Sequence, residues 1–285
     1  MIEPKTDADR RHLDHVLPEM VAEDPTFGFV VDLKSGRIVL KGIDERQLDG
    51  KLDVLRHQLG INIGQPHVAY RETLSRRADV DYAHKKQAGG SGEFARVKIT
   101  FEPNEPGGGY KFESKVGGDD VPWEFIPGVE RGVALAKENG LLFGFPVIDF
   151  TATLTGGDYH DIDSTESAFE IAAQAAFREL RERGSPILLE PIMLVEVTTP
   201  EDDAGDIIGD LNSRKGMISG TDTRGDAHLI VAKVPLANMF GYRRTLASMT
   251  QGRGQFQMAF DGYHPVPQAR DPDPDLFPPT AAMRA

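Results

Sequence analysis

The chain of 285 residues contains no cysteine, which excludes disulfides, thiolate metal centres and cysteine nucleophiles. No apolar run approaches the ~18 residues of a membrane span. The opening Met1-Ile2-Glu3-Pro4-Lys5 lacks the basic-then-apolar order of a signal peptide. A soluble, cytoplasmic protein without a membrane partner is therefore expected. Basic residues are the scarcer charge, 32 against 45 acidic, for a net charge of −13. That balance argues against nucleic-acid binding driven by overall charge, but an average can hide a local patch. The phosphate-loop pattern G-x-x-x-x-G-K-[ST] and the G-x-S-x-G nucleophile elbow are both missing, so neither nucleotide hydrolysis nor serine chemistry has its usual local signature.

What is present suits two or three domains in an α+β arrangement. Asp7 to Ala22 carries Leu13, Val16, Leu17, Met20 and Val21 at helical spacing. Phe27 to Leu33 and Arg37 to Leu40 read as strands about a Lys34-Ser35-Gly36 turn. Asp44 to Leu59 is again helical and stops at Gly60, before a short strand Ile61 to Ile63. The order is that of a β-α-β-β-α-β sandwich lacking its first strand, which is cut to the stub Ile2-Glu3.

After Pro66, strands are expected at Val68 to Ser75, Glu93 to Glu102, Tyr110 to Val116 and Val147 to Thr155. The last is broken by Gly156-Gly157-Asp158. Helices are expected from about Glu124 to Asn139 and Ser164 to Arg183. Asp163 with Glu166 resembles a capping box for the second, whose buried stripe is Phe169, Ala172, Ala176 and Leu180. From Pro191 the intact β-α-β-β-α-β order appears. Thr199-Pro200 there has the types of an N-cap and first helical position, and Ala204, Ile207, Ile208 and Leu211 face inward. The expected domains are residues 1–65, 66–189 and 190–267, with a disordered Asp-Pro-rich tail at 268–285.

The clearest basic stretch is Arg71, Arg76, Arg77 and His84-Lys85-Lys86, running into Gly89-Gly90-Ser91-Gly92. It reads either as a solvated face ending in a flexible turn or as a loop whose backbone and cations press against a phosphate chain. Asp158-Tyr159-His160-Asp161-Ile162-Asp163 crowds carboxylates and an imidazole together. Counted from Asp158, however, Asp163 and Phe169 fall where a calcium loop needs glycine and glutamate. No metal is expected there. Arg214, Lys215 and Arg253 lie in basic turns after helices.

These strings also carry a resemblance. His84 to Phe94, Gly157 to Ser164, Leu189 to Met193, Gly209 to Gly216 and Pro235 to Tyr242 resemble bacterial elongation factor G, in its order and at its spacing, over roughly Ile2 to Pro267. The resemblance implies that the three groups correspond to the family's third, fourth and fifth domains. The fourth carries an uncommon left-handed β-α-β crossover. It implies ribosome binding during translocation of transfer and messenger RNA. The fourth domain would enter the decoding site with Lys85, Lys86, Gly89, Gly90, Ser91, Gly92 and His160 at its tip. Arg214, Lys215 and Arg253 of the fifth would face large-subunit RNA. GTP and magnesium would belong to a GTPase domain absent from this chain, which is expected to be a monomer without cofactor or enzymatic activity of its own. Gly42-Ile43-Asp44-Glu45-Arg46-Gln47-Leu48 replaces the family's Gly-Met-Gly-Glu-Leu-His-Leu, a segment that helps couple nucleotide state to domain arrangement. Two other functions remain open: a ribosome-protection factor of the tetracycline-resistance type, and a small-molecule kinase. A kinase would need a phosphate loop leading into a helix, whereas Gly89 to Gly92 leads into a strand.

Overall fold

The computed structural model describes residues 2–31, 38–42, 45–63, 68–88, 91–117, 120–225 and 227–267. The Lys34-Ser35-Gly36 turn, Gly89-Gly90 and the tail from 268 onward lie outside them. The chain divides into two compact units, Met1–His67 and Val68–Ala285.

In the first unit, β1 (Ile2–Pro4), α1 (Asp7–Glu23), β2 (Gly28–Val31), β3 (Ile38–Lys41), α2 (Glu45–Gln58) and β4 (Ile61–Ile63) form one sheet in the order β2-β3-β1-β4, with its two helices. The first strand is therefore present, and the expectation of a sandwich without it is corrected. Three residues are too few to show alternation, yet they sit at the centre. Ile2 pairs with Ile38 on one side and Ile63 on the other, and its side chain is buried with Leu13, Leu17, Phe27, Ile38 and Leu55. Helix α1 begins where Thr6 Oγ1 accepts from the Asp9 amide at 3.1 Å. In the segment that departs from the family string, Gln47 Nε2 donates to Asp24 Oδ2 at 2.7 Å and Thr26 Oγ1 at 2.8 Å. That pins the start of α2 to the end of α1.

The second unit opens with β5 (Arg71–Leu74), β6 (Ala78–Ala88), β7 (Ser91–Pro103), β8 (Tyr110–Ser114), α3 (Ile126–Lys137), β9 (Phe150–Asp158), α4 (Glu166–Arg178) and α5 (Leu180–Arg183). Its first sheet has the order β6-β7-β9-β8, and β8 and β9, joined through α3, are parallel neighbours. Helices α3 and α4 close one face over Val97, Ile99, Phe101, Ala152, Leu154, Phe169 and Phe177. They cross closely because Gly132 has no side chain: a Cβ there would lie 2.4 Å from the Glu170 carbonyl oxygen.

Two expectations are corrected here, and one unforeseen strand is added. Strand β9 runs on through Gly156-Gly157-Asp158, because a register shift opposite Lys98/Ile99 absorbs the irregularity. The cap of α4 is Thr165, whose side chain accepts from the Ala168 amide, not Asp163. And β6, hidden in the sequence under its charges, is an 11-residue strand.

The remainder is β10 (Pro186–Pro200), α6 (Ala204–Ser213), β11 (Met217–Arg224), β12 (Ala227–Pro235), α7 (Tyr242–Met249) and β13 (Gln255–Pro265), with sheet order β11-β12-β10-β13. Thr199 and Pro200 end β10 rather than capping α6, and Thr199 Oγ1 is buried without a hydrogen-bond partner. Strand β10 crosses the boundary expected at 189/190: its first four residues pair with β5, and from Leu189 on it pairs with β13. At this junction Glu72 of β5 is fully buried. Its carboxylate accepts from the backbone amides of Leu141, Leu142, Phe143 and Phe145 at 2.5, 2.9, 2.8 and 3.2 Å.

The two sheets differ in how firmly their middles are tied. Among the described residues β1 meets β3 at one residue pair, whereas β10 meets β12 at nine. Native-state hydrogen exchange should therefore show lower protection for the amides of Phe29 and Leu40 than for those of Ile230 and Ala232. Equal protection would mean that helix packing alone holds the first sheet.

Candidate functional site

The charge run at His84 to Lys86 lies on a strand. In the β6–β7 hairpin Lys85 opposes Phe94, Lys86 opposes Glu93, Gln87 opposes Gly92 and Ala88 opposes Ser91. Gly89 and Gly90, between the two strands in sequence, lie outside the described residues. Alternation along β6 turns Ala78, Val80, Tyr82 and His84 inward, and past His84 both Lys85 and Lys86 are exposed. Lys85 Nζ lies 5.3 Å above the Phe94 ring, and His84 Nε2 is 3.3 Å from Glu93 Oε2. Further along the hairpin, Arg96 grips Asp81 through two hydrogen bonds of 2.8 Å, which hold the Asp81 carboxyl below its ordinary range.

The loop carrying His160 is stitched to that hairpin. The Phe94 amide donates to the Asp163 carbonyl at 2.9 Å, and Ser164 Oγ donates to the Phe94 carbonyl at 2.7 Å. Gly92 makes the fit possible, since a Cβ there would stand 2.7 Å from the Asp163 carboxylate. Within the loop, His160 N donates to Ser164 Oγ at 2.9 Å. The amides of Ile162 and Asp163 both donate to His160 Nδ1 at 3.3 Å. An Nδ1 that accepts leaves Nε2 as the N–H of a neutral ring, on a side chain that is 55% exposed. The Asp163 carboxylate, 3.5 Å from Nδ1, adds an ion pair only when the ring is protonated. Ile162, at the apex, is 85% exposed.

Lys85, Lys86, Gly92 and His160 thus meet at one end of the domain. Gly89, Gly90 and the side chain of Ser91 fall outside the described residues, although the backbone register carries Ser91 into the same hairpin. The grouping offers two ammonium groups, an imidazole N–H and an apolar apex, with no aligned nucleophile and base among the described residues. It can hold a surface by contact and hydrogen bonding.

Arg214, Lys215 and Arg253 belong to the other sandwich, and they are unlike one another. The Arg214 side chain is 16% exposed and pairs with Asp210 at 2.7 Å. It also donates to the Asn238 carbonyl at 2.7 Å and Thr245 Oγ1 at 3.1 Å, and lies 5.0 Å over the Tyr242 ring. Three of its five N–H donors are engaged inside the domain. Burial pushes the Tyr242 hydroxyl up to about 12. Arg253 pairs with Asp203 at 3.0 Å with half its side chain exposed, and Lys215 occupies a left-handed backbone position with φ of 60°.

Family profiles match in three consecutive stretches: "Elongation Factor G, domain III" over residues 1–65, "Elongation factor G, domain IV" over 66–185 and "Elongation factor G C-terminus" over 187–273. An elongation factor G of Hyphomonas neptunium is 56% identical over 270 residues, covering 94% of this chain and 38% of the relative. One of Rhodopseudomonas palustris is 55% identical over 268 residues, covering 93% and 39%. The chain therefore spans about two fifths of the length of these relatives. A crystal structure of a Thermus thermophilus protein superposes with a TM-score of 0.80 at 33% identity, over 94% of this chain and 40% of that one. Three domain profiles in unbroken order, two relatives above half identity and a matching fold lead to one conclusion: the chain belongs to the elongation factor G family, as its domain III, domain IV and C-terminal part.

Proposed function

We propose that this chain is the ribosome-engaging part of an elongation factor G-type protein and that the distal end of its middle domain meets RNA of the decoding site. The observation that carries this reading is the stitching of the His160 loop to the β6–β7 hairpin through Phe94. It holds two loops, far apart in sequence, as one preformed contact surface. Lys85 and Lys86 supply phosphate contacts, and His160 acts through shape and its Nε2–H rather than as an acid, base or metal ligand. Lys215 and Arg253 are secondary contacts to ribosomal RNA. Arg214 is omitted, because its guanidinium is already held by Asp210, Asn238 and Thr245. GTP-driven translocation belongs to the same proposal for the whole protein, as does work in the cytoplasm. No helix among the described residues is long and apolar enough to cross a membrane.

Co-sedimentation with purified ribosomes across a salt series tests the reading. Lys85→Ala and Lys86→Ala should each lower the slope of log affinity against log salt by roughly one. His160→Ala should weaken binding at every salt concentration without changing that slope. An absence of ribosome binding, or variants indistinguishable from the parent, would remove the proposal.

A further inference from the structure

The sole tryptophan of the chain, Trp123, is 80% exposed, an unusual position for the side chain with the largest apolar area. It opens a short 3-10 turn, Trp123–Phe125, between β8 and α3. The backbone around it is fixed. The Phe125 amide donates to the Pro122 carbonyl at 3.0 Å, and the Ile126 amide donates to the Trp123 carbonyl. Val121 on one side is fully buried. Phe125 on the other stacks on Phe169 at 4.9 Å between centroids. The indole is thus held out on a rigid support, open to solvent.

Its setting indicates what it would receive. Asp120 and Glu124 flank it in sequence, both exposed, and among the described residues neither carboxylate enters an ion pair. The cation on the adjacent helix, Arg131, is already held by Glu166 at 3.0 Å and Glu170 at 2.7 Å. An exposed aromatic face with two exposed carboxylates within three residues of it in sequence disfavours a phosphate chain. It attracts a guanidinium or ammonium, which can lie over the ring and pair with the acids at the same time. We propose that Trp123, with Asp120 and Glu124, is a docking point for an arginine- or lysine-bearing segment of a partner protein. The proposal is independent of the RNA contact assigned to the His160 end, and either can fail alone.

Because no other tryptophan is present, the intrinsic emission of the full chain reports on this position directly. The chain is titrated with an unstructured arginine-serine repeat peptide and, separately, with oligouridylate. A fluorescent label on the peptide gives binding independently. The peptide should move the Trp123 emission to the blue, and the effect should fade as salt rises. Asp120→Asn combined with Glu124→Gln should weaken the peptide roughly three- to fivefold at low salt. Trp123→Ala, followed through the label, should weaken it by about the same factor with an unchanged melting temperature. The proposal is overturned if the labelled peptide binds while the emission stays fixed, or if Trp123→Ala binds it as tightly as the parent. A larger emission change with oligouridylate than with the peptide would also overturn it, and would make the site an RNA-stacking one.

Discussion

Replacing Glu72 by alanine should destabilise the unit Val68–Ala285 by about 4 kcal/mol. The carboxylate is fully buried on β5 and accepts from four backbone amides of the segment that follows α3. That segment begins at Gly140, in a left-handed conformation with φ of 68°, and turns sharply away from the helix. Its amides converge on one side chain instead of forming a ladder with a neighbouring strand. Removing the acceptor leaves several of them without their carboxylate in an apolar setting, and each such loss costs about 1 kcal/mol or more. Glu72→Gln should cost roughly half as much, because one oxygen remains but the amide nitrogen then faces donors. Denaturant unfolding measures both. A loss below about 1 kcal/mol for the alanine variant would mean that water takes over the role of the carboxylate.

Arg214→Ala should cost about 3 kcal/mol. The side chain links the end of α6 to the turn before α7 and to α7 itself, through Asp210, Asn238 and Thr245, and its flat face covers Tyr242. Truncation leaves the Asp210 carboxylate largely buried without its partner. Lysine should rescue little, since an ammonium cannot reproduce the forked set of donors or the stacking. A structural role and an RNA-contact role predict different results. The structural role lowers the unfolding midpoint and leaves the salt slope of ribosome binding unchanged. A variant with parental stability and a reduced slope would return Arg214 to the RNA surface.

The sequence makes the long helices and their buried faces plain, because stripes such as Phe169, Ala172, Ala176 and Leu180 repeat over several turns and are buried as a set. Elements set by tertiary pairing are the ones it obscures. Three residues, Ile2–Pro4, become a central strand only because β3 and β4 lie on either side. In β6 the inward alternation from Ala78 to His84 is legible, but the run of charge at Lys85 and Lys86 suggests a solvated loop. Local pairing of residue types also misleads at Asp163: its carboxylate sits against Gly92, and Thr165 makes the cap. At the candidate site, the motif strings locate the His160 loop and the hairpin, but not the Phe94 link between them, nor the internal partners of Arg214. A linear sequence shows the types of cation present; whether one is free or already held depends on residues many positions away.

Strand β10 carries a mechanical consequence. Its 15 residues are an uninterrupted member shared by three ladders: Pro186 to Leu189 lie beside β5, Leu189 to Thr198 beside β13, and Ile192 to Pro200 beside β12. A load along its axis stretches these hydrogen bonds in parallel, so they resist together, whereas a load across it would open them one after another. Force arriving at β5 from the middle domain is therefore delivered to the C-terminal sandwich along a stiff tie, with no flexible linker to absorb it. If the His160 end pushes against a resisting surface, the load is carried along β10 to the strands on either side of it, β13 and β12.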